Sequence, residues 1–252
     1  MTKKIALITG ATAGIGLETA RILAKNSYNL ILTGRRKDRL EELKAELSSD
    51  SVEIELLQFD VRSKLAVDEA LASLPADWKK IDLLVNNAGL AAGMDPVNNA
   101  DVDDWEQMID TNVKGLLYVT RTVSNWMIDR QSGHIISISS IAGKEAYPMG
   151  SVYCGTKHAV SAISKAMRIE LAPHNIKVST VCPGAVETEF SLVRFKGDEE
   201  RASKVYDGFT PLFAKDIAET IYFVVSRPAH VNIDDILVMP TAQASARDFV
   251  RK

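Results

Sequence analysis

Apolar runs of four to six residues recur along the chain, separated by longer stretches in which apolar positions return every three or four residues. The runs at 5–9, 30–33, 53–58, 83–86, 134–139, 177–182 and 236–239 read as strands. Between them, 17–26, 37–48, 64–74, 105–130, 152–172 and 214–226 read as amphipathic helices. This alternation predicts an α/β fold with a parallel sheet and helices on both faces. Right-handed crossovers make such a sheet doubly wound. No linker, low-complexity segment or short-period repeat interrupts the pattern, and 252 residues suit a single domain spanning 1–252. The irregular stretch is 187–211, between the sixth and seventh strands. Its mixed charge and two glycines predict an excursion beyond the carboxyl ends of the strands, where it would cover a ligand.

Composition narrows the partners. Apolar residues make up 46% of the chain, ample for one core, and a net charge of -3 leaves no basic footprint for nucleic acid. No apolar run approaches the ~20 residues that span a bilayer. The start of the chain lacks the features of a secretory signal. Cys154 and Cys182 have no metal-ligand spacing, and Cys182 lies in an apolar run that reads as core. Together these features predict a reducing, cytoplasmic setting. His134 and His230 have no ligand partners at metal spacing, so no metal is expected.

Chemistry concentrates after the strands. The first strand leads into Gly10, Thr12, Gly14, Ile15 and Gly16, then a helix. Glycines there let the backbone turn tightly against a pyrophosphate, and the helix N-terminus offers free N–H groups. The second strand ends at Arg35 and Arg36, where an acidic residue would otherwise accept from the ribose 2′-hydroxyl of NAD. Two guanidinium groups suit a 2′-phosphate, so the expected cofactor is NADP. Asp60, after the third strand, reads equally as an acceptor for the adenine amine or as a turn residue. Asn87, Ala88 and Gly89 follow the fourth strand, in a position to hold special backbone geometry beside a ligand. Asn112 interrupts a helical pattern; it is either exposed and inert or organises a local distortion or a water.

Tyr153 and Lys157 stand four apart and share one helix face, with Ser140 thirteen residues upstream of the tyrosine at the end of a strand. An ammonium beside a phenol favours the phenolate, and a tyrosine moved from ~10 towards neutrality is a competent acid and base. A serine hydroxyl from the neighbouring strand can hold a substrate oxygen.

These features, in this order and at these separations, resemble the short-chain dehydrogenase/reductase family over essentially the whole chain. The resemblance rests on Thr9-Gly10, Gly14-Ile15-Gly16, Asn86-Asn87-Ala88-Gly89, Asn112, Ser140, Tyr153, Lys157 and Pro183-Gly184. It implies a Rossmann fold with seven strands in the order 3-2-1-4-5-6-7. It also implies that Val61, Pro183, Gly184, Val186 and Thr188 join the cofactor residues, with Tyr153 and Lys157 touching cofactor as well as substrate. A homotetramer built on the helices 105–130 and 152–172 is implied too. Within the family the chain is similar to the NADP-dependent 3-hydroxy acid dehydrogenases. That closer match lies in Thr33–Arg36, Asn87–Met94, Glu187–Gly197 and Pro228–Ile233. Lys144-Glu145-Ala146 and Cys154 depart from it.

The implied reaction is reversible hydride transfer to and from a carbon bearing oxygen. Tyr153 is the acid/base, Lys157 lowers its pKa, Ser140 holds the substrate oxygen and Asn112 supports a water joining Lys157 to solvent. A 3-hydroxy acid needs its carboxylate neutralised. Arg194, in the predicted excursion, is the candidate, although a guanidinium there also has protein groups to close upon. Tyr147 either lines the substrate pocket or is a packed aromatic. Two other functions use the same residues: a carbonyl reductase of larger ketones or aldehydes, and a non-catalytic NADP-binding sensor.

Overall fold

The computed structural model describes residues 3–49 and 51–252. Its sheet is built from β1 (Ile5–Ile8), β2 (Asn29–Gly34), β3 (Ile54–Gln58), β4 (Leu83–Asn86), β5 (Gly133–Ile138), β6 (Ile176–Pro183) and, last in the chain, β9 (Asp235–Val238). All seven are parallel, in the order β3-β2-β1-β4-β5-β6-β9. The chain reverses direction between β1 and β4, so a cleft opens at the carboxyl ends of those strands.

The strands read as unbroken apolar runs because both faces are covered. Side chains alternate across the sheet. Ile8, Leu30, Leu32, Val85 and Ile136 point into one core. There they meet Ala20 and Leu23 of α1 (Gly14–Lys25) and Ile217 and Ile221 of α9 (Ala214–Val225). Leu7, Ile31, Leu84, Ile135 and Val178 point into the other. Their partners there include Val119 and Val123 of α5 (Leu116–Arg130) and Met167 of α6 (Ser151–Leu171). Leu84 is fully buried, and truncating such a side chain to alanine costs about 2–5 kcal/mol. Two further helices, α2 (Lys37–Leu47) and α3 (Lys64–Ala72), complete the two layers. No helix among the described residues is long and apolar enough to cross a membrane.

The stretch predicted as one helix over 105–130 is two. Helix α4 (Val102–Ile109) begins early because the Asp101 side chain accepts from the Asp103 N–H and caps it. A π-helical turn, Asp110–Gly115, then joins α4 to α5. Its cause is Asn112, whose amide is engaged outside the helix, as described below. Such a turn is invisible to a periodicity argument but is a common mark of a functional site.

The excursion carries more order than its sequence implied. A two-residue strand β7 (Val186–Glu187) pairs in parallel with β8 (Leu212–Phe213). Between them lie α7 (Glu189–Arg194) and α8 (Glu199–Lys204). Elements this short show too few periods to be read from pattern. Thr188 caps α7 through its hydroxyl, and Asp198 caps α8.

Candidate active site

A cavity of about 630 Å³ lies over the carboxyl ends of the strands. One end is the loop between β1 and α1. Gly10 and Gly14 have φ of 68° and 53°, conformations that disfavour a side chain. Both line the cavity with Thr12 and Ile15. No side chain caps α1 and its first turn holds no acidic residue, so its N-terminal N–H groups remain available to an anion. Gly16 does not line the cavity. A Cβ there would fall 2.3 Å from the Gly10 carbonyl oxygen and 2.5 Å from Asn87 Nδ2, so its role is to let α1 pack against the loop.

The Asn87 side chain fastens this loop to the end of β4. Its Nδ2 donates to the carbonyls of Thr9 (2.9 Å) and Gly10 (3.1 Å). The Thr9 hydroxyl accepts from the Asn87 and Ala88 N–H groups, each at 3.0 Å. Asn87, Ala88 and Gly89 form one wall of the cavity; Pro183, Gly184, Val186 and Thr188 form the opposite wall.

The far end carries Arg35, Arg36, Asp60 and Val61. Arg36 is braced against the loop, donating to the Thr12 hydroxyl (3.0 Å) and carbonyl (3.2 Å). Arg35 is exposed and stands 3.9 Å from Asp60. Asp60 makes the turn it was equally expected to make: its Oδ1 accepts from the Arg62 N–H at 3.0 Å, and the Arg62 side chain pairs with it at 2.7 Å. Burial raises the Asp60 pKa, but hydrogen bonds from Arg62 outweigh this and hold the carboxyl below its usual range.

At the other end, α6 projects Tyr153 and Lys157 into the cavity beside Ser140, which follows β5. All three are buried. The Ser140 hydroxyl accepts from the Ala142 N–H (3.1 Å) and points its proton towards the Pro183 carbonyl at 3.4 Å, a long and weak contact. Lys157 Nζ donates to the Ile138 carbonyl at 2.9 Å and lies 5.9 Å from the centre of the Tyr153 ring. Burial lowers the Lys157 pKa to about 8 and raises that of Tyr153 to about 12. The charge that most lowers the Tyr153 value is Arg194, with Ser140 acting in the same direction. The expectation that Lys157 lowers the Tyr153 pKa is not met, since the groups that lower it are Arg194 and Ser140.

Arg194 ends α7 and lies inside the site. Its guanidinium carbon is 4.9 Å from the Tyr153 ring centre and 5.3 Å from that of Phe190, distances at which a cation is attracted to a ring face. Nη2 donates to the Tyr147 hydroxyl at 3.1 Å. Its Nε is buried without a hydrogen-bond partner, and no carboxylate among the described residues pairs with it. Tyr147 is both a packed aromatic and part of the cavity wall.

Asn112 stands behind the cavity rather than in its lining. Its Oδ1 accepts from the Leu90 N–H (2.8 Å), and its Nδ2 donates to the Leu90 carbonyl (2.8 Å) and the Thr156 hydroxyl (3.1 Å). Only glycine fits beside it comfortably at position 89, where a Cβ would stand 3.3 Å from Asn112 Oδ1 and 3.4 Å from Lys157 Nζ. Asn112 thus joins the β4 loop to α6, and the distorted turn is the cost of that link.

Sequence reading missed four participants. Arg39 lies one helical turn beyond Arg35 and Arg36, a spacing that could have revealed it. Glu189 bridges Arg36 and Arg39 from the excursion. Gln243 supports the Gly184 wall, its Oε1 accepting from the Ala185 N–H at 2.8 Å. Arg247, near the end of the chain, lines the cavity with its guanidinium 5.8 Å from the Tyr147 ring centre. No local motif marks the last three. His134 is a buried strand residue beside Ser179 (2.9 Å), and burial lowers its pKa to about 3. Among the described residues no cluster of three or more metal-ligating side chains occurs.

Known proteins resemble this chain over nearly its whole length. The chain is 49% identical over 243 residues to the NADP-dependent 3-hydroxy acid dehydrogenase YdfG of Salmonella typhi, covering 96% of this chain and 97% of that one. It is 43% identical over 241 residues to sulfoacetaldehyde reductase 2 of Chromohalobacter salexigens, covering 95% of each. A closed form of serine dehydrogenase complexed with NADP+ superposes with a TM-score of 0.92 at 48% identity, over 98% of this chain and 99% of that one. Residues 4–198 match the family model for short chain dehydrogenases. The chain belongs to the short-chain dehydrogenase family.

Proposed function

We infer that this protein is an NADP-dependent oxidoreductase acting on the hydroxyl-bearing carbon of a small 3-hydroxy acid, of the serine, allo-threonine or 3-hydroxypropionate class. The observation that carries the acid preference is Arg194: a buried edge of guanidinium without a carboxylate partner, set over the ring of Tyr153. Unpaired cations facing a cavity favour anionic ligands. The relatives whose names specify NADP, a 3-hydroxy acid or serine support the reading.

The residues present fit a dinucleotide bearing an extra phosphate. Gly10 and Gly14 give it backbone to approach, α1 gives an uncapped N-terminus and Arg35 and Arg36 give cationic groups beyond the second strand. Asn87, Ala88 and Gly89 would flank it on one side, and Pro183, Gly184, Val186 and Thr188 on the other. When bound, NADP supplies a hydride acceptor, and its reduced form a donor.

The chain's own residues handle the proton and the geometry. Ser140 holds the substrate oxygen. Tyr153 takes the hydroxyl proton in oxidation and returns it in reduction. Arg194 places positive charge beside the phenol, opposing the burial that otherwise keeps it protonated, and Lys157 lies 5.9 Å from the ring centre. Asn112 acts by fixing Gly89 and Leu90 beside Lys157. Orientation contributes much of the acceleration, because donor and acceptor carbon must meet at ~3–3.5 Å. The segment 187–211 acts as a lid, since α7 brings Arg194 and Phe190 over the catalytic tyrosine.

The assembly we propose is a homotetramer built on α4 to α6, supported by the exposed apolar side chains Leu117 and Ile169 on those helices. A cytoplasmic location accords with two buried free thiols, Cys154 and Cys182. The mechanism is tested with Tyr153→Phe. Turnover of 3-hydroxypropionate should fall by about 10²–10⁴-fold, while NADP still binds. A variant that keeps its rate would remove Tyr153 from the proton-transfer step.

A further inference from the structure

Glu189 is the first residue of α7 and reaches across to the nucleotide end of the cavity. One carboxylate oxygen accepts from Arg39 Nη1 at 2.6 Å, and the other from Arg36 Nη1 at 3.0 Å. Two guanidinium groups therefore converge on one anion. Arg36 is also braced on its other edge, where its Nε and Nη2 donate to Thr12 of the dinucleotide loop. Burial raises the Glu189 pKa, but the hydrogen bonds and charges of Arg39 and Arg36 together outweigh it and hold the carboxyl below its usual range.

A phosphate monoester presents the same feature as this carboxylate, several anionic oxygens directed at guanidinium N–H groups. Arg36 Nη1 cannot serve both anions fully, and two anions held close together repel. We propose that Glu189 is an internal competitor for the 2′-phosphate of NADP, seated on Arg36 and Arg39, and that it limits how strongly the protein favours NADP over NAD. Arg39 is then a further phosphate-site residue. The inference rests on the NADP reading. It also links cofactor to lid, since the carboxylate displaced from Arg36 belongs to the helix that carries Arg194.

Calorimetric titration of the full-length protein with NADP and with NAD tests this without using turnover. Glu189→Gln should bind NADP about two- to fivefold more tightly, the range of an exposed ion pair, with NAD unchanged. Arg39→Gln should weaken NADP by a similar factor and remove most of the gain from Glu189→Gln in the double variant. The advantage of Glu189→Gln should shrink as salt is raised. Weaker NADP binding by Glu189→Gln would overturn the proposal, because Glu189 would then be positioning Arg36. Equal shifts for both cofactors would also overturn it, the effect being on lid closure. A wild-type protein that binds NAD as tightly as NADP would instead overturn the cofactor reading beneath it.

Discussion

The guanidinium carbon of Arg194 lies 4.9 Å from the centre of the Tyr153 ring, although the two residues stand 41 positions apart in the sequence. One residue thereby affects two properties. It supplies a cation for an acidic substrate, and it is the leading charge opposing the upward pull of burial on the phenol. Arg194→Ala should therefore raise KM for 3-hydroxypropionate by about 10–100-fold, the range of a lost charged hydrogen bond. It should leave KM for 2-propanol nearly unchanged. The pH profile for oxidation should also move to higher pH. Equal losses for acid and neutral alcohol would separate Arg194 from carboxylate recognition.

Lys157 carries an opposite tension. Its ammonium is buried, with one hydrogen bond to Ile138. Burial lowers its pKa from 10.5 to about 8. Near pH 7 both folded and unfolded chains hold the proton, and the folded state bears the desolvation cost. Between about 8 and 10.5 the unfolded chain binds more protons, so this group's contribution to stability rises with pH. Lys157→Met should thus raise Tm at pH 7 by about 2–6 °C while abolishing turnover, and its advantage should narrow at pH 9.5. Melting curves at the two pH values decide this. A Met variant that melts lower at pH 7 would mean that the bond to Ile138 outweighs the burial.

The upward shift of the Tyr153 phenol sets a direction for activity. Oxidation needs Tyr153 to receive a proton, and reduction needs it to give one. Oxidative kcat/KM should rise with pH above neutrality, and reductive kcat/KM should fall across the same interval. A pair of profiles rising together would place the controlling ionisation on another group.

Asn112 tests the link between distortion and function. Its amide makes three hydrogen bonds to buried partners on two other segments. Asn112→Ala leaves the Leu90 N–H and carbonyl without their partners, at a cost of about 2–4 kcal/mol. Thermal melting should show a clear loss, and turnover should fall even at saturating NADP because Gly89 and Leu90 shift beside Lys157. An unchanged Tm would show that the π turn persists without the side chain.

The sheet was legible because each strand must bury both faces, which leaves an apolar run such as 134–139. The crossover handedness follows from general packing rules, while the order of strands came from the family resemblance. Gly10, Ser140, Tyr153 and Lys157 were legible because their chemistry depends on local spacing. A distortion at Asn112 was one of the readings its sequence left open, and what decides between them, the bonds to Leu90, lies 22 residues away. Glu189, Gln243 and Arg247 were also hidden. Each reaches the site from a segment whose path depends on tertiary contacts, and a solitary charged or amide residue has no periodicity to betray it. Arg194 was named from its place in the excursion. Its position over Tyr153 comes from the cap at Thr188 and from the Gly93 N–H, which donates to the Arg194 carbonyl at 3.0 Å.

The most direct measurement is NADPH formation by the wild-type protein with L-serine, L-allo-threonine, 3-hydroxypropionate and 2-propanol, each assayed with NADP and with NAD. The expected result is turnover of the hydroxy acids, with NADP favoured and the neutral alcohol poor. Efficient oxidation of 2-propanol with little activity on any of the acids would contradict the substrate assignment and leave a general carbonyl reductase.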